Sequence, residues 1–285
     1  MSEALKQQLV AAHAAVFDGV LAAVEDLDEA AWSTPTGCPG WDVRDQLSHM
    51  VGIERAMLGD PPDEVELPAD LAHVTTDFDR VTEVAVEARR RHPADQRLSE
   101  ARETFDRRLR HLEALDPDTL GEPLDGIAGM RMKASQLLRT RIFDLTCHEQ
   151  DIRRALGRPG GLDGPNAEIA VEQVLRAWAK VLPARLGDDV VLDVEVAGHG
   201  RVVLDLAAGG IQRLATGDGD GAGEDPGPAA AAAGHRARWA ALHLDAGALL
   251  ALGTGRLDAP TSTAILRAGD PTLAAALVSG GTVTP

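Results

Sequence analysis

The stretch Arg139–Gly160, RTRIFDLTCHEQDIRRALGRPG, carries the period of an α-helix and ends as helices end, at Gly157 with Pro159 beyond. Leu138, Leu145, Ile152 and Leu156 recur at helical spacing and make one apolar stripe. A helix with one such stripe buries it against other helices, so the segment predicts a bundle. Beside the stripe runs a second strip, Leu137, Arg141, Asp144, His148, Asp151 and Ala155, apolar at its ends and charged in its middle. That strip has two readings. It is a solvated face laced by ion pairs among Arg141, Asp144, His148 and Asp151, or it is a polar site built inside the bundle. Asp144 and His148 stand four residues apart and project one turn apart from the same face. A carboxylate and an imidazole so placed can share a divalent metal, zinc included. Spacing alone does not choose, because an Asp-x-x-x-His pair arises often by chance.

Working outward, the rest of the N-terminal half is helical too. Residues 3–28 place Leu5, Leu9, Ala12, Val16, Val20 and Val24 on one side of a first helix. STPTGCPGWD (33–42) interrupts it with two prolines and two glycines. Asp42 then N-caps a second helix, with Asp45 at N3, running to about Leu58 before GDPPDE stops it. A third helical region, 76–115, is divided at Pro93, and LDPDTLGEPLDG (115–126) reads as loop before the fourth helix, 133–156. Four helices of this length predict a four-helix bundle over residues 1–160.

GRPGGLDGPN (157–166) marks the expected boundary, and the texture then changes. A helix at 166–182 leads into DDVVLDVEVAG (188–198) and GRVVLDLAAGG (200–210), both strand-like. TGDGDGAGEDPGPAAAAAG (216–234) is low-complexity and reads as a loop. LHLDAGALLALGTGRLD (242–258) reads as a strand feeding a helix, and DPTLAAALV (270–278) as a last helix. Residues 161–285 are thus expected to form a smaller α+β domain.

Composition bounds the function. A formal charge of −17 opposes a nucleic-acid surface and an anionic membrane alike, so neither is expected as a partner. Aromatics are 3% of the chain with no tyrosine, which favours cores of Ala, Leu and Val between close-packed helices. Two cysteines make no disulfide framework. No signal-like start and no apolar run of bilayer-spanning length is evident, so a cytoplasmic protein is expected.

A third metal ligand must come from another helix. His49 is the best candidate, on the shoulder of the stripe formed by Val43, Leu47, Met50 and Met57, with Ile53 and Ala56 beside it. The plainer alternative is a satisfied core histidine. Asp151 or Asp45, each one turn from a candidate histidine, are placed to accept a free imidazole N–H. Arg141 is placed to meet a substrate carboxylate, though plain ion pairing serves each of these equally well. Cys147 should point away from the strip, Cys38 reads as packing in its turn, and Trp41 as a staple between turn and bundle. His13, His73, His92, His111, His199, His235 and His243 show no ligand spacing.

Three segments carry a family resemblance. TGCPGWDVRDQLSHMVGIERAML (36–58) and RIFDLTCHEQDIRRALGRPGG (141–161) resemble two signatures of the mycothiol-dependent maleylpyruvate isomerase family, and LRAGDPTLAAALVSGGTVTP (266–285) is similar to its C-terminal end. The resemblance implies a DinB-like metal-binding four-helix bundle followed by a sterol-carrier-like α+β domain. It puts the family's His, Glu, His metal triad on His49, Asp144 and His148, with Asp144 departing from the usual Glu. It implies zinc or another divalent metal and mycothiol as cofactors, a small-molecule substrate, and a monomer or homodimer. The implied reaction adds the thiolate to the double bond of maleylpyruvate; rotation and thiol expulsion then give the trans isomer. Retaining the adduct would instead make a mycothiol S-transferase acting on electrophiles, and a non-catalytic small-molecule binder is the remaining alternative. A cation for substrate carboxylates is available in Arg201, Arg213, Arg236, Arg238 or Arg256, and no residue is singled out as catalytic.

Overall fold

The computed structural model describes residues 2–125, 131–213, 238–256 and 262–283. The chain divides into two units, Met1–Ile169 and Ala170–Pro285.

The first unit is helical. Helix α1 (Ser2–Val24) stops short of the residue 28 expected from sequence, because Asp28 caps a separate four-residue helix, α2 (Glu29–Trp32), through the Ala31 amide. By length and composition α1 is apolar enough to cross a membrane, against the expectation that no such run exists. It nevertheless turns Leu9, Val16, Phe17, Val20 and Val24 into the core, as a buried helix of a folded unit does. Helix α3 (Val43–Met57) starts at a reciprocal capping box between Asp42 and Asp45. Helices α4 (Asp77–Arg89) and α5 (Ala94–Ala114) divide at Pro93, as the sequence predicts. The expected loop that follows holds a 3-10 turn, Pro117–Gly121, and a small antiparallel pair, β1 (Pro123–Asp125) with β2 (Arg131–Lys133).

Helix α6 (Ala134–Leu156) ends at Gly157 in the left-handed conformation, φ 62°. Its stripe residues Leu145 and Ile152 join Val16, Phe17, Val20, Trp32, Leu47, Met50 and Phe105 in one core. Phe17 and Phe105 stack in it at 4.2 Å between ring centres. The charged strip is buried as well, at Arg141, His148 and Asp151. The strip is therefore not a fully solvated face: Asp144 alone of its charged residues reaches solvent, and the expected ion pairs Arg141–Asp144, His148–Asp144 and His148–Asp151 are present within a largely buried cluster.

Helix α7 (Pro165–Leu186) contains the division between the units. In the second unit, β3 (Val190–Val196), β4 (Gly200–Asp205), β5 (Gly210–Arg213), β6 (Arg238–Leu244) and β7 (Leu266–Gly269) form one sheet in the order β5-β4-β3-β6-β7. The β3–β6 pair is parallel and the others antiparallel. Helices α8 (Ala246–Gly253), α9 (Ser262–Ile265) and α10 (Pro271–Gly280) complete it. Gly253 lies so close to Val174 of α7 that an added Cβ would stand 2.9 Å from its methyls. The fold is thus helices followed by a small α+β unit. The low-complexity segment 216–234 lies outside the described residues.

One core residue makes the first unit sensitive to acid. His13 is fully buried; its Nδ1–H donates to the Leu9 carbonyl at 2.8 Å, and its Nε2 has no partner. Burial drives its pKa down to about 4, only partly opposed by Glu54. The unfolded chain takes up this proton near its ordinary value of 6.5 and the folded chain only near 4, so acid favours unfolding across that window. Lowering the pH from neutral to 4 should cost about 3 kcal/mol through this one group, and His13→Leu should remove that part of the slope. Urea unfolding of both proteins at the two pH values measures it; equal slopes would contradict the assignment.

Candidate metal centre

The site is built from one turn and two helices. In the Pro/Gly turn, the Thr36 amide and hydroxyl both donate to the Trp41 carbonyl, at 3.0 and 2.9 Å, and the Trp41 amide donates to the Cys38 carbonyl. Gly40 takes a positive φ of 79° there, and any Cβ on it would overlap the ring of His73. The turn delivers Trp41 to the bundle. Its indole N–H donates to Glu83 at 2.8 Å, and Glu83 is held in turn by His73 and Arg90. So anchored, the indole lies 4.9 Å from the His49 ring and 5.9 Å from that of His148, which are 4.5 Å from each other.

His49 of α3 and Asp144 and His148 of α6 converge. His49 Nε2 is 3.6 Å from Asp144 Oδ2, and His148 Nε2 is 3.5 Å from Asp144 Oδ1. One donor atom from each of the three lies within 4.8 Å of the others. Both histidines are buried, whereas the Asp144 side chain is 37% exposed, so the cluster meets solvent at the carboxylate. Neither ring nitrogen of His49 has a hydrogen-bond partner. A buried imidazole with two unpaired nitrogens is costly unless something else engages it. A metal ion taking a lone pair at Nε2 fits that orphan and the N, O, N donor set around it.

Cys38, His148 and Asp151 form a second grouping of ligand-type atoms, sharing His148 with the first. Gln46 decides between them. Its amide N–H donates to Thr36 Oγ1 at 2.7 Å, which leaves its carbonyl oxygen to accept from His148 Nδ1–H at 2.6 Å. When His148 gives up a proton to a metal, this bond keeps the proton on Nδ1, so that the Nε2 lone pair is the one that faces Asp144 and His49. On the Nδ1 side the proton is committed to Gln46, and Asp151 Oδ2 stands farther off, at 3.8 Å, with the Cys38 thiol donating to it at 3.4 Å.

The charges are strongly coupled. Burial and the neighbouring His148 push His49 down to about 4, so it is neutral. Burial also works against charge on His148, but the Asp144 carboxylate outweighs it and lifts the imidazole to about 9. Asp144 is held well below the carboxylate range, burial being overcome by the charges of His148 and Arg141. In the metal-free state an imidazolium–carboxylate pair stands where a cation would bind.

The three residues singled out from sequence therefore meet, but their supports differ from expectation. Asp45 belongs to its capping box and to Arg90, 3.2 Å away, and Asp151 yields the imidazole proton to Gln46. Arg141 is buried against Glu54 and Asp144 rather than offered to a substrate. Cys38 joins the edge of the cluster rather than only packing a turn. Sequence reasoning missed Gln46, Glu54, Arg108 and His73; Gln46 sits one turn before His49, where a search for amide partners would have met it. Among the C-terminal arginines, Arg201 is held bidentately by Asp193 at 2.7 Å, Arg238 donates to the Leu186 carbonyl at 2.9 Å, and Arg256 to that of Thr254 at 3.2 Å. The Arg213 side chain and Arg236 lie outside the described residues.

Gln46→Leu removes the acceptor that orients His148 while leaving all three candidate ligand residues in place. Zinc affinity, measured by competition with a chelator, should fall about 10–100-fold in a folded protein. Unchanged affinity would show that the Gln46 bond does not orient the imidazole for a metal.

Comparison with known proteins adds to this geometry. Residues 13–153 match the family model described as the mycothiol maleylpyruvate isomerase N-terminal domain. A crystal structure of mycothiol-dependent maleylpyruvate isomerase is similar over 89% of this chain and 90% of its own, at 14% identity and a TM-score of 0.51. A histidine-to-alanine mutant of that isomerase matches with the same coverage, at 12% identity and a TM-score of 0.52. At such identity the likeness shows a shared fold. No curated protein matches by sequence.

Proposed function

We propose, from the match of residues 13–153 to the mycothiol maleylpyruvate isomerase N-terminal domain model, that the chain is a metal-dependent enzyme using mycothiol. The observation that carries the proposal is His49: buried, without a hydrogen-bond partner at either ring nitrogen, and facing the carboxylate of Asp144 at 3.6 Å beside the oriented Nε2 of His148. In this reading His49, Asp144 and His148 hold one divalent metal, zinc. Three protein ligands leave a coordination position open, as catalytic zinc sites do and closed structural ones do not.

A zinc ion held there supplies a Lewis acid that keeps a thiol ionised at neutral pH. The chain's own residues do the remainder. Gln46 fixes which His148 nitrogen is basic. Trp41, anchored by Glu83, makes an apolar wall over both imidazoles and shields them from water on that side. Asp144 is the polar opening of the cluster. The reaction this reading favours is cis–trans isomerisation of maleylpyruvate or a closely related unsaturated keto acid. A cytoplasmic location accords with two cysteines in the thiol form, Cys38 and Cys147.

Zinc-loaded protein with mycothiol and maleylpyruvate tests the reading. Formation of fumarylpyruvate that depends on mycothiol, with the free-thiol titre unchanged, is the expected result. Thiol loss in step with substrate would instead identify an S-transferase. No product and no thiol loss, with maleylpyruvate or with simple electrophiles, would contradict an enzyme of either kind.

A further inference from the structure

Behind Asp144 the bundle buries a chain of charges that the proposed reaction does not use. Glu54 of α3 is 0% exposed, Arg108 of α5 2% and Arg141 of α6 6%. Arg108 Nε donates to Glu54 Oε2 at 2.8 Å, and Arg141 Nε donates to Glu54 Oε1 at 2.6 Å. Each oxygen of Glu54 thus takes one arginine, from two different helices. Arg141 reaches on to the Met50 carbonyl at 3.4 Å and, through Nη1, bonds Oδ2 of Asp144.

The position of Arg141 poses an electrostatic problem. It grips a carboxylate that is to bind a dication, and a buried guanidinium there repels that dication across a short, poorly screened distance. Glu54 is the only carboxylate bonded to both arginines among the described residues. Counted formally, two guanidiniums against Glu54 and Asp144 sum to zero. Without Glu54 the same group would carry a net positive charge beside the metal ligands.

We propose that Glu54 is a positioning residue for the metal centre: by clamping Arg141 it lets the guanidinium hold one oxygen of Asp144, and it cancels the positive charge that would otherwise oppose metal binding. Asp144 then presents its other oxygen, on the His148 side. Arg108 is the counterweight that keeps buried Glu54 ionised and in place. This inference rests on the metal-centre reading above.

The test is zinc affinity, by competition with a chromophoric chelator, in full-length wild type, Glu54→Gln, Arg108→Gln and the double variant, each checked for helix content. Cobalt(II) absorption, which reports ligand geometry, is recorded in parallel. Glu54→Gln should bind zinc about 10–100-fold more weakly. Arg108→Gln, which removes a cation touching no candidate ligand, should bind more tightly than wild type. The charge-neutral double variant should return to within about threefold of wild type, because it restores balance while the introduced amide oxygen still accepts from Arg141.

A network that is only scaffolding predicts another pattern: every variant loses stability, and affinity in the folded fraction stays flat or falls throughout. Wild-type affinity in folded Glu54→Gln, or weakened binding in Arg108→Gln, overturns the proposal. If Glu54→Gln fails to fold, Arg108→Gln and the double variant still decide it by the direction of their change. Wild type that takes up no zinc overturns the metal reading itself, whereas wild type that binds zinc without this ordering overturns only the role of Glu54.

Discussion

The hydrogen bond from His148 Nδ1–H to the Gln46 carbonyl oxygen, 2.6 Å long and buried between α3 and α6, is the interaction on which the site depends. An imidazole has two nitrogens, and here each faces a different set of ligand-type groups. Gln46 is itself oriented, since its amide donates to Thr36 in the Pro/Gly turn. The turn therefore sets the amide, the amide sets the tautomer, and the tautomer sets which group of side chains can share a metal. The capping box at Asp42 and Asp45 matters for the same reason: it starts α3 in the register that brings Gln46 and His49 inward together.

Burying this much charge in a bundle short of aromatic residues carries a free-energy cost that apolar packing must offset. Isolated buried ions are expensive, and breaking one partner of a buried pair typically costs about 3–5 kcal/mol. The bundle meets this by closing its charges into bonded chains, Arg108–Glu54–Arg141–Asp144 on one side of the cluster and Trp41–Glu83–Arg90–Asp45 on the other. His49 is the exception, neutral and without a hydrogen bond at either ring nitrogen among bonded neighbours. That contrast marks the place where a ligand from outside the chain is needed.

Much of this was legible in the sequence, and the part that was not has a physical reason. Helical periodicity with caps at Asp42, Pro93 and Gly157 located α3, α5 and α6, because these signals are local. The pairing of Asp144 with His148 was readable from i, i+4 geometry, and His49 from its place on an apolar shoulder. What stayed hidden was non-local. That Glu54 takes Arg108 and Arg141 depends on how α3, α5 and α6 rotate against one another, which no single-helix pattern encodes. Gln46 is not legible in the sequence because an amide on a helix carries no chemical signal until its partner is known. Asp28 differs in being local: its side chain caps a new short helix through the Ala31 amide, where apolar periodicity alone runs the first helix on to residue 28.

The central claim is a metal held by His49, Asp144 and His148. The most direct measurement is the divalent-metal content of gently purified, untagged protein by plasma mass spectrometry, beside His49→Ala and His148→Ala. The account predicts about one zinc per chain in the wild type and none in either folded variant. A wild type that retains no divalent metal after zinc incubation and dialysis, or variants that keep the full complement, would contradict it.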